Sequence, residues 1–122
     1  MIIIHADQVK PWWSPPPHHR ELKVLLSPVL QDVSNDLAIG MVTLPPGESG
    51  DPHTHHDSQE CWYVISGKGK LKVGDEVAEL VPDSVIVAPR GVEHQILNDG
   101  EEPLKALFFF SPAGPEEAVL PR

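Results

Sequence analysis

Gly47-Glu48-Ser49-Gly50-Asp51-Pro52-His53-Thr54-His55-His56-Asp57-Ser58-Gln59-Glu60 concentrates histidines and acids in one short stretch. His53 and His55 lie two apart, and in extended backbone that spacing puts both imidazoles on one face. Glu60 opens the apolar run Cys61-Trp62-Tyr63-Val64-Ile65, where Trp62 and Val64 share its face. A strand that buries Trp62 and Val64 therefore turns Glu60 inward as well. A carboxylate in an apolar interior is costly unless it is paired or binds a metal. Downstream, Pro89-Arg90-Gly91-Val92-Glu93-His94 delivers another histidine to the start of a strand. Three imidazoles and one carboxylate (His53, His55, His94 and Glu60) form a donor set for a divalent transition metal. The same residues also read as a histidine-rich surface loop that binds nothing. Residue chemistry alone leaves both readings open.

Outward from this stretch the chain reads as strands. Apolar or alternating runs cover residues 22–26, 37–44, 61–65, 70–73, 77–80, 85–88, 94–97 and 104–110. Turn signals separate them, among them Pro45-Pro46-Gly47, Gly74-Asp75, Pro82-Asp83 and Asn98-Asp99-Gly100. Short strands at such spacing predict an all-β sandwich or barrel. With 14 Pro and 9 Gly in 122 residues, long helices are excluded. The length suits one domain. We divide it into a proline-rich arm (residues 1–20), a barrel (21–112) and a tail (113–122). Trp12 and Trp13 in the arm are expected to pack on the body or across a subunit interface. The tail is expected to fray, with at most a helical turn around Glu116-Glu117-Ala118. Apolar residues on both faces of 104–110 predict that this strand is covered on both sides.

Lys and Arg number 9 against 18 Asp and Glu, a net charge of −9, which argues against a nucleic-acid partner. The apolar starts Ile2-Ile3-Ile4 and Leu107-Phe108-Phe109-Phe110 are far too short to span a bilayer. The expectation is a cytoplasmic protein with no membrane contact. A single cysteine, Cys61, excludes an internal disulfide framework; by alternation it faces away from Glu60.

At the level of motifs the chain resembles the cupin superfamily. Gly47, His53, His55, Glu60 and Gly67 stand at the intervals of the first cupin motif, and Pro89, Gly91, His94 and Asn98 at those of the second. The first glycine of the second motif is replaced by Asp83, a residue that tolerates tight-turn backbone better than most. The resemblance implies a double-stranded β-helix, or jelly-roll barrel. It implies one divalent metal (Fe, Mn, Ni, Co or Zn) bound by His53, His55, Glu60 and His94. It also implies a homodimer.

Four protein ligands on a six-coordinate ion leave two positions for a small-molecule substrate. The first functional reading is a metal-dependent enzyme on a small oxygenated substrate, with Fe(II) dioxygenase chemistry placed first. Trp62, Met41 and Phe108 are the expected apolar wall, and Arg90 the candidate anchor for an acidic substrate. The alternative is isomerase or lyase chemistry on a sugar-like acid, which requires a further base in the cavity. A non-enzymatic small-molecule binder is the third reading. A cavity that reaches the metal would favour an enzyme. Asp57 and Gln59 are candidates to orient the ligand imidazoles.

Overall fold

The computed structural model describes residues 1–33 and 36–121. Among the described residues, nine strands form two sheets. They are β1 (Trp12–Trp13), β2 (Glu21–Leu26), β3 (Ala38–Leu44), β4 (Gln59–Ser66), β5 (Gly69–Val73), β6 (Glu76–Leu80), β7 (Val85–Ala88), β8 (His94–Leu97) and β9 (Leu104–Ser111). One sheet has six strands in the order β1-β2-β3-β9-β4-β7, the other three in the order β6-β5-β8, and the pairings are antiparallel. This is an all-β double-stranded β-helix, although its sheets do not close into a tight barrel.

Alternation explains which side chains build the core. In β3, Ala38, Gly40, Val42 and Leu44 are buried; in β9, Leu104, Ala106, Phe108 and Phe110 are. The two strands pair so that Gly40 lies opposite Phe108. A Cβ at Gly40 would collide with the Phe108 ring, so this glycine makes room for an aromatic side chain rather than for a turn. Trp62 and Val64 from β4 in the same sheet, and Leu71, Leu80 and Ile96 from the smaller sheet, complete the interior.

The histidine-bearing stretch is held by β8. Ser49 and His53 form isolated bridges to Leu97 and His94. Reciprocal amide bonds of 3.1 and 2.9 Å join His53 and His94, and Gly50 N–H donates to the Ile96 carbonyl at 2.9 Å. Residues 47–53 thus act as an extra edge of the smaller sheet. Asn98, buried at the end of β8, secures the neighbouring turn by donating to the carbonyls of Leu44 (2.9 Å) and Glu102 (2.8 Å). Asp83 adopts φ +66, the left-handed backbone in which a glycine would be easiest.

One expectation is corrected in part. The helical turn expected around Glu116-Glu117-Ala118 is present as a 3-10 helix, Pro115–Val119, but this turn does not fray: the buried Glu116 accepts from Ser27 Oγ at 2.6 Å and from the Gly114 amide. The reverse face of the larger sheet carries half-buried Met41, Leu107, Phe109 and Cys61, with Val85 and Val87 exposed.

Among the described residues, no helix is long and apolar enough to cross a membrane.

Candidate metal centre

Three elements bring the donors together. His53 ends the segment paired with β8, His94 begins β8, and Glu60 stands on β4 among inward-facing Trp62 and Val64. His55 follows in irregular backbone, so its convergence owes nothing to a regular strand period. One donor atom from each of His53, His55, Glu60 and His94 lies within 4.8 Å of the others. Glu60 Oε1 is 2.8 Å from His94 Nε2, 3.3 Å from His55 Nε2 and 3.9 Å from His53 Nε2.

Backbone carbonyls orient two of the imidazoles. His53 Nδ1 contacts the Asp51 carbonyl at 2.8 Å, and His94 Nδ1 contacts that of Val92 at 3.4 Å. Each ring then presents Nε2 to the centre, the usual way a protein fixes a ligating tautomer. Side chains of Asp57 and Gln59 play no such part; both are exposed.

Electrostatics favour an ionised carboxylate. Burial pushes the Glu60 carboxyl up, but the three imidazoles outweigh it and hold the group at about 2. Burial likewise pushes the His53 imidazole down, while Glu60 and the Asp51 carbonyl outweigh this and raise it above the usual histidine range. His55 Nε2 and Glu60 Oε1 face each other in the interior, yet neither has a hydrogen bond of acceptable geometry. His53 Nε2 and His94 Nε2 also meet at 3.1 Å. Orphaned, converging nitrogen and oxygen donors with one anionic member fit a divalent first-row ion.

A cavity of about 550 Å³ opens onto all four donors. Trp62 and Phe108 line it, as does Phe110. Met41 does not: it lies on the reverse face of β3, and its neighbour Val42 faces the cavity instead. Arg90 is exposed in the turn before β8, outside the lining, and the guanidinium in the cavity belongs to Arg20. The sequence reading missed Arg20, and also His18 and the tail residue Val119, both of which line the cavity. For Arg20 the signal was present, since Arg20, Leu22 and Val24 alternate inward in the same way as Glu60, Trp62 and Val64. On the opposite face, burial and then the Glu60 charge push the Cys61 thiol up, which leaves it a poor nucleophile.

The model of the cupin domain matches residues 40–110, a span that contains all four donors. The chain belongs to the cupin family. Among curated relatives, this cupin is 32% identical over 102 residues to the tetracenomycin polyketide synthase protein TcmJ of Streptomyces glaucescens, covering 81% of the chain and 68% of the relative. Among solved structures it resembles a predicted oxalate decarboxylase from Thermotoga maritima, with TM-score 0.82 and 21% identity over 92% of this chain and all of that one. It also resembles KdgF from a Halomonas species, with TM-score 0.78 and 22% identity over 95% of this chain and 99% of that one. At these identities the two structures speak to the fold of this cupin.

Proposed function

We propose that this cupin is a metal-dependent enzyme of the isomerase or lyase type acting on a small, sugar-like acid. The observation that carries the reading is one cavity that joins the four donors to a base outside the donor set. That base is His18, whose Nδ1 lies 3.4 Å from Ser49 Oγ. A divalent ion held by His53, His55, Glu60 and His94 would supply a Lewis acid for a substrate carbonyl or hydroxyl oxygen. His18, on the arm side of the cavity, takes or returns the substrate proton. Pro115, Ala118 and Val119 from the tail and Trp12 from the arm add apolar lining to the cavity. A cavity that reaches the donors favours an enzyme over a passive binding module. The likeness to a predicted oxalate decarboxylase supports an acid substrate over the Fe(II) dioxygenase reading.

A second reading rests on the polyketide synthase relative and on the aromatic wall of Trp62, Phe108 and Phe110. Here the same metal and base would promote ring closure on a polyketide-type diketone. A homodimer belongs to either reading, and the apolar reverse face of the larger sheet supports it.

Solvent-deuterium exchange tests the chemistry. Metal-loaded protein, incubated in D2O with a panel of uronates and aryl diketones, should label the carbon beside the carbonyl in one class. Labelling should proceed without air and be lost in His18→Ala. Oxygen consumption with no exchange would return the assignment to a dioxygenase.

A further inference from the structure

We infer that Arg20 is the carboxylate-recognition residue of this cavity, and that the N-terminal arm serves to hold it. The inference deepens the proposed function and rests on it for the sugar portion of the substrate.

Among the described residues, Arg20 is the only lysine or arginine that lines the cavity. It is 8% exposed, in a chain with a net charge of −9. The arm is wound onto its guanidinium. Nη1 donates to Ser14 Oγ at 3.1 Å and to the His18 carbonyl at 3.2 Å. The Arg20 amide also donates to Ser14 Oγ at 3.0 Å, and the Ser14 amide returns a bond to the Arg20 carbonyl at 3.0 Å. Residues 14–20 are thus a loop closed around one charged group. Nη2 donates to Asp51 Oδ1 at 3.1 Å. These bonds use three of the five guanidinium N–H groups, and among the described residues no acceptor takes Nε–H or the second Nη2 hydrogen.

The charge balance is equally incomplete. The one carboxylate partner, Asp51, has a side chain 53% exposed, so water screens it while Arg20 itself is buried. A buried cation with a solvated counter-ion and spare donors is suited to a second carboxylate. Gly50 lies beside the guanidinium, and a Cβ there would stand 3.5 Å from Arg20 Nε, at ordinary van der Waals contact. Asp51 then ties this wall to the donors, since its carbonyl is the partner of His53 Nδ1. The polar part of the lining therefore runs Arg20, Asp51, His53, and the same cavity is lined by Trp62, Phe108 and Phe110. A small acid would set its carboxylate on Arg20 and its reacting oxygen toward the donors. A guanidinium suits this task better than an ammonium, because its planar donors match the two carboxylate oxygens.

The test is NMR of metal-free protein with the Arg20 Nε–H resonance assigned. It is titrated with galacturonate, with galacturonate methyl ester and with propionate. Both acids should shift this resonance saturably, and the ester should not. Galacturonate should bind about 10- to 100-fold more tightly than its ester, the range expected of a charged hydrogen-bonded pair. Arg20→Met should bring that ratio to about one, and Arg20→Lys should restore part of it. Should Arg20→Met fail to fold, Asp51→Asn serves instead: it removes the competing carboxylate, so the ratio should rise. An Arg20 resonance unmoved by both acids, or an Asp51→Asn ratio that falls, overturns the inference. A shift with propionate but none with galacturonate upholds the carboxylate site and removes the sugar-acid reading. Deuterium exchange into galacturonate with Arg20 unmoved would do the reverse.

Discussion

Glu60→Gln removes one charge at nearly constant shape from a group 5% exposed and ringed by three imidazoles. The three imidazoles hold the Glu60 carboxyl at about 2 instead of 4.5. That difference is worth roughly 3 kcal/mol of folding stability in the metal-free protein. Because the folded value lies below the unfolded one, this stability is fully present above about pH 4.5 and is lost as pH falls through about 2. Denaturant unfolding in chelator should therefore show Glu60→Gln less stable than wild type by about 3 kcal/mol near neutral pH. The gap should close in strong acid. Adding a divalent ion should widen it near neutral pH, since wild type gains about 4 kcal/mol at a thousand times Kd and a variant without the anionic donor gains less. A metal-free variant as stable as wild type, or more so, would refute the electrostatic account. It would show that burial of the carboxylate outweighs its imidazole partners.

Other outcomes follow from the same structure. In chelator, His53, raised above 6.5, contributes stability below about pH 6.5 that is lost as pH rises through its folded value. Metal binding needs neutral imidazoles, so the metal-loaded protein should gain stability across the same window. Thermal melts should slope in opposite directions, and parallel slopes would remove His53 from the ligand set. Gly40→Ala should destabilise by about 1–3 kcal/mol in equilibrium unfolding, because the new methyl displaces the Phe108 ring. An unchanged midpoint would mean that the ring has room to move. Glu116→Ala leaves the fully buried Ser27 hydroxyl without its acceptor and should cost about 1–3 kcal/mol. It should also speed proteolysis after residue 112, and tail cleavage at the wild-type rate would contradict the anchoring role of Glu116.

The strands were legible because short apolar or alternating runs stand between turn signals such as Pro45-Pro46-Gly47 and Gly74-Asp75. Each apolar run named from sequence coincides with a strand, and Glu60 sits inward for the reason that Trp62 and Val64 do. Asp83 in place of a glycine was also readable, since only the backbone angle mattered there. Met41 and Arg90 were misplaced for different reasons. On β3 the small residues Ala38 and Gly40 face inward, so side-chain bulk pointed to the wrong face. Arg90 is near His94 in sequence, but the turn between them directs it to solvent. The inward turn of Arg20 was readable from its alternation with Leu22 and Val24, but its partner Asp51, like Ser27 for Glu116, lies far off, 31 and 89 residues away in the chain. Local pattern carries no information about such pairings.

The central claim is that His53, His55, Glu60 and His94 form one metal centre. Elemental analysis after loading with Mn(II), Fe(II), Ni(II), Co(II) or Zn(II) and desalting tests it most directly. Wild type should keep one equivalent of metal per chain, and His94→Ala, which removes the most buried imidazole of the set, should keep none while still folding. Wild type without metal under every loading condition, or a full equivalent in His94→Ala, would contradict it.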